Sequence, residues 1–299
     1  MITIAEIRIH IKETKTHVLD RWEKICATAN NLLPDVRAVF VVVTGDIAYG
    51  GAEAEYTFAE RFFSNLLDCI RARVASDAIV YMVTVPGNHD GTFKQQNAAR
   101  KAIIDSVIND GVIDNSVIDA CVAPQVHYFS FSERFSSDYV TFRDRLWVEH
   151  EVKVDNHVIA FSAINASWLS QVPETPGKLV FPVKRYLNLA KGNASVRIAL
   201  MHHPLNWYAQ GTYHPLRELC RSQYQVVMSG HEHSASASTV SDLQFGDSLN
   251  LEAGALDPHE ADGVSSFSVV KLDLDKQLFA TVDFSWDGQR YMPTDGDAV

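Results

Sequence analysis

The run Ala38-Val39-Phe40-Val41-Val42-Val43-Thr44-Gly45-Asp46 is apolar and valine-rich until it stops abruptly in Thr-Gly-Asp. No polar residue interrupts it, so it reads as a strand buried on both faces, as in a sheet covered by helices. Around it the pattern alternates. Ile2–Ile9 switches between apolar and polar residues like a strand, and Val18–Leu33 has helical spacing and stops before Pro34. Ala52–Val74 reads as a long amphipathic helix with Phe58, Phe62, Leu66 and Ile70 at intervals of four. Ala78–Val85 is a second buried strand, ended by Pro86-Gly87. A strand–helix–strand rhythm of this kind predicts a layered α/β fold.

Further along, residues 91–151 are less regular and predict helices and a connection, a cap over one end of the sheet. Strand-like runs return at Val158–Ile164, Val196–Met201 and Gln225–Met228. Leu249–Ala253, Ser265–Leu272 and Gln277–Phe284 follow with little helix between them, which suggests a second, more antiparallel sheet. The expected organisation is one domain over residues 1–287 and a tail over 288–299.

The chain has 299 residues, 46% of them hydrophobic and 21% charged, which is a globular composition. Its formal charge of −11 argues against a broad basic grip on nucleic acid, although bound cations can invert the field locally for a phosphate substrate. The four cysteines, Cys26, Cys69, Cys121 and Cys220, are far apart with no C-x-x-C pair and read as reduced thiols. Met1-Ile2-Thr3-Ile4-Ala5-Glu6 lacks the blocks of a signal peptide, and no apolar run is long enough for a bilayer. The expectation is a soluble cytoplasmic protein with no membrane contact.

Four apolar runs end in ligand-type residues: Val43-Thr44-Gly45-Asp46, Val85-Pro86-Gly87-Asn88-His89-Asp90, Leu200-Met201-His202-His203-Pro204 and Met228-Ser229-Gly230-His231-Glu232-His233. In open α/β sheets ligands bind beyond the carboxyl ends of strands, so four such ends at one edge would build a metal site. The mixture of oxygen and imidazole donors suits Mn, Fe or Zn better than Ca or Mg. Taken singly, Gly-Asp is usually a turn and His-His-Pro a surface loop. Gly-Asn-His-Asp is different, because packing alone gives no reason to end a buried strand in three polar residues.

These ordered blocks resemble the calcineurin-like metallophosphoesterases, over roughly Ile2 to Phe284. The resemblance implies a four-layer α/β/β/α sandwich of two mixed sheets flanked by helices, with a site for two divalent metals. It implies that Asp46 bridges them, that Asn88, His202 and His231 complete one shell, and that His233 belongs to the other. His89 would then stand by the leaving group, oriented by Asp90, while the cations clamp the phosphate and acidify the attacking water. The activity implied is hydrolysis of a phosphate ester, a small molecule or nucleotide, with diesters preferred over monoesters. Val41–Gly51, running into Glu55-Tyr56, also resembles calcineurin-like domains joined to larger bacterial signalling or defence ATPases, which implies a protein partner or a further C-terminal portion.

The first block departs from the family pattern. Where an Asp-x-His is expected the chain has Glu6-Ile7-Arg8, and a guanidinium cannot ligate a metal. Three readings stand open. The second metal position is weak or empty, with Glu6 still able to ligate, while Arg8 holds a phosphate oxygen; the fold serves as a silent interaction module; or His10, on the same strand face, or another distant residue takes over as ligand, or the first block lies in a different register. One or two metals per chain are therefore expected. Tyr49, Asn165 and His203 are candidates to face the substrate, with Trp207 and Tyr208 expected to pack.

Overall fold

In a computed structural model, residues 1–7, 11, 17–33, 35–93, 97–109, 111–232, 235–257 and 264–294 are described. Arg8, His10 and His233 lie outside them, as does the side chain of Glu6. The elements run β1 (Ile2–Ile7), α1 (Trp22–Ala29), β2 (Ala38–Val43), α2 (Glu53–Arg71), β3 (Ile79–Thr84), α3 (Ala98–Ile108), α4 (Asn115–Val122), α5 (Val126–Phe135), β4 (Val140–Arg143), β5 (Trp147–Val154) and β6 (His157–Ile164). They continue with β7 (Val196–Met201), α6 (Gln210–Gln223), β8 (Val226–Ser229), β9 (Ser236–Asp242), β10 (Gly246–Glu252), β11 (Ser266–Asp273), β12 (Leu278–Trp286) and β13 (Tyr291–Pro293).

Two mixed sheets result. One has the order β13-β12-β11-β1-β2-β3 and the other β4-β5-β6-β7-β8-β10-β9. Both contain a parallel block, β1-β2-β3 along one side of the first and β6-β7-β8-β10 in the middle of the second. The valine-rich run is β2, and all six of its residues are buried. Its alternate side chains serve different layers. Val39, Val41 and Val43 pack with residues of α1, α2 and α5, while Phe40 and Val42 join Phe161, Ile198, Leu200 and Met228 between the sheets. On the outer face of the second sheet, Ala199, Met201 and Val227 meet residues of α3, α4 and α6. Three apolar clusters thus separate four layers, the expected α/β/β/α sandwich.

Several expectations change. The 91–151 stretch supplies α3, α4 and α5, but from Val140 it turns into β4 and β5. A period-two pattern is present over 147–154, disguised because Glu149 and His150 are buried polar residues. There is no separate C-terminal sheet among the described residues. β11 pairs antiparallel with β1, and β10 pairs parallel with β8, so the late strands widen the two existing sheets. The expected tail contains β13, whose Tyr291 is buried and shares a 2.8 Å hydrogen bond with Ser265 Oγ. Val18–Leu33 is helical only in part, α1 lying between 3-10 turns at His17–Asp20 and Asn30–Leu32. On α2, Phe62, Leu66 and Ile70 are buried as expected and are joined by Tyr56, Ala59, Phe63 and Leu67, while Phe58 is exposed. Among the described residues no helix is long and apolar enough to cross a membrane.

The two buried polar residues of β5 face opposite layers. Glu149 accepts from Arg197 Nη1 at 2.8 Å, Ser162 Oγ at 2.6 Å and Trp147 Nε1 at 3.0 Å, so a charge inside the fold is fully engaged. His150, between the sheets, shares a 3.0 Å hydrogen bond with the Tyr81 hydroxyl. Burial, and next the Arg143 charge, push its pKa from 6.5 down to about 3. The unfolded chain therefore binds the His150 proton first on acidification. Stability is complete above pH 6.5 and is lost progressively as pH falls toward 3. Between pH 6.5 and 5 this one residue should remove about 2 kcal/mol. Urea midpoints at pH 7 and pH 5 test it: His150→Gln should lose about 2 kcal/mol less than the wild type over that interval.

Candidate metal centre

Two loops at the ends of neighbouring strands touch through glycines. Gly45 has φ +100°, and a Cβ there would lie 2.5 Å from His202 Nδ1 and 2.8 Å from Gly87 N. A Cβ on Gly87 would run into the Asp46 carboxylate and its backbone nitrogen. Close approach, as well as the left-handed turn at Gly45, requires glycine at these positions. The contact is locked by Asp90, which has no exposed surface. Its carboxylate accepts from Ile47 N at 3.1 Å, Ala48 N at 2.8 Å, Gly87 N at 2.8 Å and the Tyr56 hydroxyl at 2.8 Å.

This corrects the expected role of Asp90. Its oxygens are taken by the loop backbones and Tyr56, and His89 is oriented instead by the Tyr49 carbonyl, which accepts from His89 Nδ1 at 3.0 Å. A carbonyl only accepts, so the proton is fixed on Nδ1 and any proton transfer by the ring runs through Nε2. The Tyr49 ring also stacks on the His89 ring, with centroids 5.7 Å apart. Burial, and next the Asp46 charge, push the Asp90 carboxyl up to about 6, opposed by its N–H donors from Gly87 and Ala48 and by the Tyr56 hydroxyl.

The clamp presents Asp46 in a left-handed conformation, φ +56°. Its Oδ1 accepts from His89 N at 3.0 Å, and its Oδ2 lies 3.3 Å from His202 Nε2. The same His202 Nε2 is 3.0 Å from Asn88 Oδ1 and 3.2 Å from His231 Nδ1. His202 Nδ1 donates to the Thr44 carbonyl at 2.7 Å, leaving the lone pair of the neutral ring on Nε2. An imidazole nitrogen carries at most one hydrogen, yet a carboxylate oxygen, an amide oxygen and another ring nitrogen converge on this one. A small cation satisfies such a donor set where hydrogen bonding does not, so these residues fit a divalent metal. His231, like Asp46, is held at positive φ, +74°, a strain that recurs at functional sites.

Asp46, Asn88, His202 and His231 are thus brought together from the ends of β2, β3, β7 and β8. Glu6 is placed only by its backbone, paired with Val42 at the same edge of the sheet. Two substrate-facing expectations are corrected. Asn165 is 4% exposed; its amide donates to Gln125 Oε1 at 2.8 Å and to the Arg145 carbonyl at 3.0 Å. It borders a separate cavity of about 380 Å³ with Arg143, Arg145 and Arg185. His203 has no exposed surface and pairs through Nε2 with Glu174 Oε2 at 2.8 Å, which turns it inward. Tyr208 packs as expected, but Trp207 does more: its ring lies 4.1 Å from that of His231 and its Nε1 donates to Glu232. Sequence reasoning missed Tyr56, Glu174 and Glu232; Glu174 sits in an irregular Val-Pro-Glu-Thr-Pro stretch that carries no periodic signal.

A two-layered sheet core that delivers a carboxylate, an amide and imidazoles to one edge is the frame of a metal-dependent hydrolase. More particularly, the chain belongs to the calcineurin-like phosphoesterase family, whose sequence profile matches residues 9–235. No curated protein sequence matches it. Similar solved structures include a dimetal phosphatase from Danio rerio, with 12% identity, TM-score 0.44 and 98% of each chain covered. A phosphatase from Mycoplasma pneumoniae has 12% identity and TM-score 0.45, covering 95% of this chain and 92% of that one. Zinc-complexed Vps29 from Entamoeba histolytica has 10% identity and TM-score 0.41, covering 99% and 98%.

Asp90→Asn would set an amide donor against backbone N–H groups that need an acceptor. It should lower unfolding free energy by about 3 kcal/mol in urea titrations, while His89→Ala stays within about 0.5 kcal/mol of wild type. Equal stability of the two variants would refute the clamp.

Proposed function

We propose that this protein hydrolyses phosphate esters, diesters in preference to monoesters, at the centre formed by Asp46, Asn88, His202 and His231. The observation that carries this reading is the convergence of Asp46 Oδ2, Asn88 Oδ1 and His231 Nδ1 on His202 Nε2 within 3.3 Å. A divalent transition metal bound there supplies Lewis-acid charge to the phosphate and acidifies the attacking water. The rest falls to the chain itself. Asp46 is fixed by the Asp90 clamp and by the His89 amide, and His202 is fixed by the Thr44 carbonyl. His89, with its Nδ1 proton held by the Tyr49 carbonyl, faces the leaving oxygen with Nε2, and it acts as general acid when Nε2 carries a second proton taken up from solvent, which passes to that oxygen and leaves the neutral Nδ1–H ring behind. The rings of Tyr49 and Trp207, both half-buried, flank the site beside His89 and His231 and would line the entrance for the ester groups.

A second reading, an interaction module with little or no turnover, is favoured by one specific feature, the Glu6-Ile7-Arg8 sequence where an Asp-x-His is expected. Metal content of protein purified without chelator, together with hydrolysis of bis-p-nitrophenyl phosphate and p-nitrophenyl phosphate with added Mn, separates the two. The enzyme reading expects bound metal, faster diester turnover, loss of turnover in EDTA, and a fall in kcat of about 100- to 10,000-fold in His89→Ala. Protein that binds no metal and turns over neither ester would establish the module reading.

A further inference from the structure

Beside the ligand atoms described above stands a second buried imidazole whose bonding is incomplete. His203 has no exposed surface, and the side chain of its partner Glu174 is 6% exposed. Glu174 Oε2 and His203 Nε2 are 2.8 Å apart, so the carboxylate holds the proton on Nε2 and leaves a lone pair on Nδ1. That Nδ1 is buried with no hydrogen-bond partner among the described residues. Leaving such an atom unsatisfied costs about 1–3 kcal/mol. The alternative, an imidazolium, would instead bury an unpaired N–H beside two other imidazoles.

One ring nitrogen from each of His202, His203 and His231 lies within 4.8 Å of the others. The His203 ring is 4.6 Å from that of His231 and 4.8 Å from that of His202. Since Nε2 of His203 is engaged by Glu174, Nδ1 is the atom left for ligation. His202 is prepared in the same way, its outer nitrogen tied to the Thr44 carbonyl and its inner one turned to the cluster. A carboxylate behind an imidazole is the usual outer partner of a metal-bound histidine, fixing its tautomer and raising its basicity.

We propose that His203, held by Glu174, is a further metal ligand, so that this centre presents three imidazoles, from His202, His203 and His231, to its cation. This rests on the reading of the site as a metal centre and specifies the ion it takes. Three imidazoles favour a borderline transition ion such as Zn²⁺, Co²⁺ or Fe²⁺ and disfavour Mg²⁺ and Ca²⁺. His203 is thereby assigned to the metal and not to the substrate.

The test is metal binding to chelator-stripped full-length protein, read by competition with a chromophoric chelator and by the ligand-field absorption of added Co²⁺. His203→Gln should weaken Co²⁺ and Zn²⁺ binding more than about 100-fold and alter the Co²⁺ spectrum, and Glu174→Gln should weaken binding about 10- to 100-fold. Both variants should keep the wild-type circular dichroism, and excess Mg²⁺ should not displace Co²⁺. Unchanged affinity and spectrum in His203→Gln, with metal still bound by the wild type, would overturn the proposal and leave the phosphoesterase reading standing. Wild-type protein that binds no transition metal would overturn both. If His203→Gln does not fold, histidine-labelled NMR of the wild type decides: the His203 Nδ1 resonance must shift on adding Zn²⁺, and an unmoved signal sinks the assignment.

Discussion

One buried carboxylate holds the geometry of the site. Asp90 ties the loop after β2 to the loop after β3 through three backbone N–H groups and the Tyr56 hydroxyl. The glycines Gly45 and Gly87 let the two backbones come close enough for that clamp to close. With it closed, Asp46 is held at positive φ with one oxygen on the His89 amide and the other toward His202. A charge taken wholly out of water is tolerable here because four donors replace its hydration. The donors to Asp90 come from both loops at once, so the position of each candidate ligand is conditional on the other loop.

The second half of the site is organised by different means. His202 and His203 are consecutive, yet each is anchored on its own acceptor, a backbone carbonyl for one and a carboxylate for the other. Gly230 N donates to the His202 carbonyl at 2.9 Å, which joins the β7 and β8 ends as Asp90 joins the β2 and β3 ends. His231 then leans on Trp207, whose indole is itself fixed by Glu232. Rigid support behind each polar group is what a centre needs if its ligands are to be held within a fraction of an ångström.

Much of this was legible in the sequence, for a physical reason. Strands buried on both faces must be continuous apolar runs, so the abrupt polar ends at Asp46, Asn88, His202 and His231 stood out, and their order carried the family resemblance. What escaped was tertiary. Asp90 follows His89 directly, and adjacency suggested a partnership that the backbone directs elsewhere. Glu174 belongs to an irregular segment, and only the fold carries it to His203. The strand β5 was hidden because Glu149 and His150, each satisfied by partners distant in sequence, broke its apolar alternation. The assignment of the late strands to a separate second sheet failed similarly, since an antiparallel pattern states that a strand has a neighbour without saying which.

The four convergent ligand candidates come in equal shares from the two sheets, with Asn88 and His202 separated by 114 positions and Thr44 and His202 by 158. Neither half of the chain contains a complete centre. The apolar interlayer of Phe40, Val42, Phe161 and Leu200 must dock before the polar edge exists at all. The site is therefore a reporter of sheet docking. A chain severed in the exposed stretch between β5 and β6, at Asp155-Asn156, would carry Asp46 and Asn88 on one fragment and His202 and His231 on the other. Any chemistry there would return only when the fragments reassociated.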